Sequence, residues 1–304
     1  MIRFAIKRIL QGIPVLIAVS AITFLVMKAA PGGPFDKDKK LPPEIMANIE
    51  AKYHLDKPIW SQYLYYIGGL LKGDLGPSYK YVGRDVSDII LETFPVSFVL
   101  GICALLVIIG VGIPAGILSA YRANSLIDTG VIIFATAGIS FPSFVLGSML
   151  VLVFSHHLHW LPPALWESPR HVILPALALG AGYAGYIARL TRSTFIEVLS
   201  ADYIRTARAK GLSDIQVLFK HALKNAISPI LSVMGPIAAG VVTGSFIIEF
   251  IFSIPGMGSF FITAVTNRDY PLIMGVTLVY AVLIVFANIL VDMAYAWLDP
   301  RVSV

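Results

Sequence analysis

Val96–Tyr121 reads VSFVLGICALLVIIGVGIPAGILSAY, twenty-six residues without one Asp, Glu, Lys, Arg or His. As a helix this stretch is about 39 Å long, more than the ~30 Å hydrocarbon core of a bilayer. Working outward, five more stretches reach spanning length: Ile9–Ala30, Gly130–Ser155, Val172–Leu190, Ala226–Phe252 and Leu272–Leu298. Pro14, Pro114, Pro142, Pro175, Pro229 and Pro236 fall inside the six. Membrane helices tolerate proline because neighbouring groups take up the freed backbone. Composition agrees: 57% of the 304 residues are apolar and 13% charged, against roughly 25% charged in a soluble domain. Mean hydropathy is +0.80. A cytosolic enzyme, a secreted disulfide scaffold and a disordered regulator are excluded. The single cysteine, Cys103, can form neither an intrachain disulfide nor a thiolate metal cluster. The expected fold is an all-α membrane protein with six transmembrane helices.

Arg3, Lys7 and Arg8 precede the first span as in a signal peptide, but the apolar run exceeds the roughly 7–15 residues of one. It is read as a retained first helix. Three regions follow: residues 1–30, the N-terminal tail and first helix; 31–95, a helical outer lobe; and 96–304, a core of helices two to six that includes an inner loop at 191–224. Six spans place both termini on one side. If that side is the cytoplasm, twelve Lys and Arg lie inside, against Lys28, Arg170 and Arg268 outside and eight more in the 31–95 segment. Long segments translocate largely regardless of charge, so both termini are expected in the cytoplasm. The overall excess of basic residues therefore reports topology, not nucleic-acid binding.

The centres of the spans carry no ionisable residue. Glu249 is expected near the outer end of span five, Asp292 near the inner end of span six, and Lys28 snorkels from the end of span one. Ion-driven carriers keep such groups at depth, so their absence argues against an ion-coupled secondary carrier, which is kept as the alternative of another class. In the outer lobe Pro42-Pro43 opens one helix and Asp56 with Pro58 a second, with Trp60, Leu64, Ile67 and Leu71 on one face. His156, His157 and His159 do not share a helical face and lie near no acidic partner but Glu167, so no metal site is expected.

The inner loop reads as two short helices. The first runs from about Ser193 to Lys210 and stops at Gly211 in the left-handed region. The second opens at Ser213-Asp214-Ile215-Gln216, a capping box, with Ile215, Leu218, Phe219, Ala222 and Leu223 on one apolar face. By periodicity alone it is either an interfacial helix on anionic lipid or a docking element for a cytosolic partner.

Ala201-Asp202-Tyr203-Ile204-Arg205-Thr206-Ala207-Arg208-Ala209-Lys210-Gly211-Leu212-Ser213, followed by His221-Ala222-Leu223-Lys224-Asn225-Ala226, resembles the cytoplasmic coupling loop of ABC importer permeases. The general pattern is Glu-Ala-Ala, three residues, Gly, nine residues, Ile-x-Leu-Pro. Ala207, Gly211 and Leu223 match it. Arg205, Thr206, His221 and Lys224 depart from it in the manner of the peptide-importing branch. Pro31-Gly32-Gly33-Pro34-Phe35, Leu41–Glu50, Gly73-Asp74-Leu75-Gly76-Pro77-Ser78, Phe94-Pro95, Pro255-Gly256-Met257-Gly258 and Asn267-Arg268-Asp269-Tyr270 extend the resemblance over essentially the whole chain. The short connection His156–His171 between spans three and four is similar to the oligopeptide rather than the dipeptide side of that family.

The resemblance implies a type I ABC importer permease architecture in a bacterial inner (plasma) membrane and a role as half of a peptide translocation pathway. It implies a second homologous permease subunit, two ATP-binding subunits and an extracytoplasmic peptide-binding protein as partners. Asp202, Tyr203, Arg205, Thr206, Ala207, Arg208, Ala209, Lys210, Gly211 and Leu212 are its implied ATPase-coupling residues. The chain itself has no G-x-x-x-x-G-K-[ST] phosphate loop and no nucleophile–base set, so no catalytic residue, metal or cofactor is assigned. A dipeptide or metal-chelate permease is the alternative within the class.

Overall fold

The computed structural model describes residues 2–35, 51 and 53–298. The expected helix at Pro42-Pro43 lies outside the described residues. Most of those described are helical. Helix α1, Ile2–Ala29, is the first span. The short lobe helix α2, Ile59–Leu70, starts behind Pro58, and Asp56 forms an ion pair with Lys57 instead of capping it. Helix α3, Val86–Val107, passes through a π-turn at Ile108–Gly112 into α4, Ile113–Tyr121. This second span therefore begins at Val86, ten residues before the expected start, with Pro95 inside it.

The third span is not straight. Helix α5, Leu126–Ser140, and α6, Ser143–Leu150, continued by a π-helical segment Val151–His157, meet at an angle of 111°. Phe141 is extended (φ −85°, ψ 129°), the conformation imposed on a residue before proline, and Pro142 starts the next arm. The 15 residues of α5 cover only about 22 Å, so neither arm crosses a bilayer alone. Among the described residues five helices are long and apolar enough to span, and counting the bent pair as one span makes six.

Helix α7, Arg170–Leu199, is central and packs on α3 to α6. Its small residues let other helices come close. A Cβ on Gly185 would stand 2.4 Å from the Ala135 carbonyl oxygen, and one on Gly116 would stand 2.5 Å from that of Ala188. With 30 residues it is about 45 Å long and outruns the hydrocarbon core at the end that carries Arg192. There the expected Ser193–Lys210 helix is two helices. Ala201 is extended (φ −70°, ψ 149°) and separates α7 from α8, Asp202–Ala209.

Beyond Gly211 the chain forms α9, Asp214–Gln216, a π-helical segment Val217–Ala222, and α10, Leu223–Val242. The second loop helix is thus the start of span five. The helix is interrupted at Gly244 (φ 91°) and resumes as α11, Phe246–Ile251. Helix α12, Met257–Asn267, ends at left-handed Arg268, and α13, Tyr270–Leu298, is the sixth span.

Two positions correct the expectations. Trp60, Leu64 and Leu71 are exposed; α2 packs inward through Tyr63 and Tyr66, and the Tyr63 hydroxyl lies 2.8 Å from that of Ser20 on α1. Glu249 is not peripheral. Its helix packs ring-to-ring through Phe246 on Tyr280 at 4.7 Å, and Tyr280 lies about 15 Å along α13, near the middle of the apolar stretch Tyr270–Val291. Glu249 is fully buried and is engaged locally. It accepts from Ser97 Oγ (3.0 Å), Gly258 N (2.8 Å) and Ser245 N (3.2 Å).

Candidate functional site: the inner loop and the cleft above it

Helix α8 has one buried face, Ile204 and Ala207, which join the main core. Asp202, Tyr203, Arg205, Thr206, Arg208, Ala209, Lys210 and Gly211 are exposed, and Leu212 is half-buried. Within the helix the Thr206 hydroxyl donates to Asp202 O (3.0 Å), and Arg205 lies 3.5 Å from the Asp202 carboxylate. The turn closes as expected. Gly211 N donates to Arg208 O (2.9 Å) with φ at 79°, and a glycine adopts this conformation without the Cβ penalty. The capping box is present, with Ser213 and Gln216 bonded reciprocally.

The apolar face of the second helix differs from the expected one. The π-helical segment inserts an extra residue into the turn and rotates the register. Val217 and Ala222 are fully buried, whereas Ile215 is 70% and Phe219 62% exposed. Ile215, Phe219 and Tyr203 thus stand out from a surface that also carries Arg205, Arg208, Lys210 and Lys220.

The loop is braced to the spans. Asn225 Nδ2 on α10 donates to the Tyr203 hydroxyl (2.8 Å), and the Tyr121 hydroxyl at the end of α4 donates to Asp214 (2.9 Å). Behind it the Arg192 guanidinium grips the nearly buried Asp128 at 2.6 and 2.7 Å. Asp128 also accepts from Ser119 and from Asn124 N. Spans two, three and four are joined there. Except for Asn124 N to Asp128, four residues apart, none of these braces is signalled by sequence spacing, because packing brings their residues together.

At the bend of span three, α5, α6, α7 and α10 enclose a cavity of about 670 Å³ whose walls include Phe141, Ser143, Tyr183, Tyr186, Ser232 and Pro236. Every lining residue is uncharged. No lining residue of this cleft was singled out as such from the sequence; the Phe141-Pro142 step was the one available signal of the bend.

Residues 112–304 match the model of the binding-protein-dependent transport system inner membrane component, and residues 1–101 match the N-terminal model of the same system. The oligopeptide transport system permease protein OppB of Salmonella typhimurium is 44% identical, over 99% of both chains. The dipeptide transport system permease protein DppB of Bacillus subtilis is 43% identical, over 100% of this chain and 98% of its own. The dipeptide permease of Lactococcus lactis is 39% identical over 99% of each. A chain of the MetNI methionine ABC transporter, solved in inward-facing conformations, shares the fold: TM-score 0.55 at 15% identity, over 69% of this chain and 96% of that one. The protein belongs to the family of binding-protein-dependent transport system inner membrane components.

Proposed function

We propose that this chain is the membrane-spanning permease subunit of an ATP-driven importer of oligopeptides, forming half of the translocation pathway. The observation that carries the reading is the outward-standing Tyr203, Ile215 and Phe219 among basic residues on a loop braced to the spans. Apolar side chains held in water at a fixed site suit a protein partner better than solvent. The partner is an ATP-binding subunit. A second such subunit meets the equivalent loop of a second, homologous permease, and an extracytoplasmic peptide-binding protein delivers substrate. Both termini then face the cytoplasm, and the 31–95 lobe faces outward. The protein is a transport subunit and not an enzyme; ATP hydrolysis resides on the partners.

In this mechanism, closure of the ATP-binding subunits displaces α8. Tyr203–Asn225 passes the displacement to α10, and Asp214–Tyr121 passes it to α4. The cleft at the span-three bend, uncharged and roomy, meets its counterpart on the second permease to form the pathway. Uncharged walls accept peptides of varied side chain because no buried charge demands a partner. A dipeptide importer is the second reading, favoured by the full-length match to the Bacillus subtilis dipeptide permease. The test is reconstitution of the purified complex in vesicles. ATP-dependent peptide uptake that survives collapse of all ion gradients supports the reading. Transport driven by an ion gradient without ATP overturns it. Comparing dipeptides with pentapeptides decides substrate length.

A further inference from the structure

Beneath the outer lobe, where α1, α2 and α13 converge, lies a second cavity of about 330 Å³. Phe24 and Lys28 come from α1, Tyr65 and Tyr66 from α2, Tyr270 from α13, and Asp74 from the turn that follows α2, where its N–H donates to Gly69 O (3.0 Å). Lys28 does not run out to water. Its ammonium sits between two ring faces, 5.8 Å from the centre of Phe24 and 5.5 Å from that of Tyr270. An ammonium has three N–H donors, yet among the described residues none accepts from Lys28 and no carboxylate lies within ion-pair reach. A half-buried cation held only by ring faces is incompletely matched. Asp74 is exposed, and one of its oxygens is taken by Gly76 N at 2.8 Å. Nearby, His54 is held in the left-handed region and stacks on Tyr65 at 4.6 Å.

The cavity thus has on its wall a cation with no hydrogen-bond or ion-pair partner among the described residues, a carboxylate and aromatic sides. We propose that it binds a short zwitterionic peptide, with the terminal carboxylate on Lys28, the terminal ammonium toward Asp74 and an apolar side chain against Phe24, Tyr66 and Tyr270. This deepens and rests on the reading of the chain as a peptide permease, and it adds a peptide site within the permease's own lobe, separate from the cleft at the span-three bend. The volume lies at the low end of small-ligand pockets, about 300–1,000 Å³, which sets the ligand at two or three residues. An anionic lipid headgroup would share the contact to Lys28, but the Asp74 carboxylate repels a second anion and favours a ligand that also carries an ammonium.

The test uses the full-length chain in lipid nanodiscs without binding protein, probed with radiolabelled Ala-Phe-Ala. Removing a charge-assisted contact costs about ten- to hundredfold in affinity. Amidation of the peptide's C-terminus and Lys28→Met are each expected to weaken binding by that factor, and Lys28→Arg to retain most of it. Asp74→Asn is expected to erase the preference for a free over an acetylated N-terminus. Equal binding by the parent and Lys28→Met, no binding by the parent, or displacement of the peptide by raising the phosphatidylglycerol content of the nanodisc overturns the proposal. The last result assigns the cavity to lipid. ATP-driven uptake by the intact complex without Lys28-dependent binding removes this site and leaves the import reading standing. Lys28-dependent binding without ATP-driven uptake does the reverse.

Discussion

Arg192 closes on Asp128 as a two-pronged ion pair, Nε to Oδ1 at 2.6 Å and a terminal nitrogen to Oδ2 at 2.7 Å. The two residues lie 64 positions apart, one at the start of span three and one near the end of the long α7. Asp128 is almost fully buried and Arg192 about three-quarters so. Removing one member of such a pair leaves a charge without its counterpart and costs about 3–5 kcal/mol. Asp128→Ala is therefore expected to lower the thermal unfolding midpoint of the purified chain clearly. Asp128→Ala combined with Arg192→Leu is expected to recover part of that loss. A double-mutant cycle on the unfolding midpoint measures the coupling, and additive single effects would show that the pair contributes nothing.

What the sequence made legible were local signals. Gly211 and the Ser213/Gln216 box depend on neighbours within three residues, and both are present. The spans were legible because apolar length is a direct physical requirement of the bilayer. The failures share another cause. Periodicity fixes which residues share a face, not which way that face looks: the Trp60, Leu64 and Leu71 stripe points outward. It also assumes 3.6 residues per turn, so the π-helical segment Val217–Ala222 moved Ile215 and Phe219 from the inside to the outside. Pro142 bends its span by 111°, while Pro95, Pro175, Pro229 and Pro236 stand inside unbroken helices. Proline alone therefore did not mark the bend.

Ser97 and Glu249 lie 152 residues apart and bond at 3.0 Å. The carboxylate fills the space that side chains on Gly244 and Gly256 would need, since a Cβ on either would lie 2.3 Å from it. It also holds Gly258 N and Ser245 N. Glu249→Leu strips these buried donors of their acceptor, at about 1–3 kcal/mol each. Loss of folded, membrane-inserted protein is expected on size-exclusion chromatography. Ser97→Ala removes one donor to the carboxylate and the acceptor of Met257 N (2.9 Å), and should lower the unfolding midpoint while leaving the chain assembled. An Ser97→Ala chain as impaired as Glu249→Leu would place the weight on the serine instead.

Orientation is checked by labelling. Lys72 lies in the outer lobe and Lys210 at the end of the inner loop, and both are exposed. A membrane-impermeant amine reagent applied to cells stripped of their outer barrier is expected to modify Lys72 and spare Lys210, and to reach both after the membrane is opened. Mass spectrometry of the recovered chain reads the result. Labelling of Lys210 alone in sealed cells would reverse the topology and remove the basis for an ATP-binding partner at the loop.

The loop itself carries the last prediction. Gly211 has φ at 79°, and no atom beyond its chain neighbours lies within 4 Å of the position a Cβ would take. The cost of a side chain there is therefore backbone strain and not a clash. It amounts to about 1–2 kcal/mol for an ordinary residue, and a β-branched one pays more. Gly211→Val is expected to shift α8 relative to Ser213 and Asp214, leaving the spans and membrane insertion unchanged. Phe219→Asp leaves the backbone alone and puts a charge where an apolar side chain stands exposed; Arg205→Glu reverses an exposed charge on α8. In a reconstituted complex all three are expected to reduce peptide uptake about tenfold or more, the size of one lost buried contact. ATP hydrolysis by the partner subunits should persist but no longer rise with loaded binding protein. The two readouts separate mechanisms: Phe219→Asp should also weaken co-purification of the ATP-binding subunits, whereas Gly211→Val should transmit poorly while still binding them. If all three variants transport and couple like the parent, the surface of Tyr203, Ile215 and Phe219 faces lipid headgroups, and the transmission path runs elsewhere.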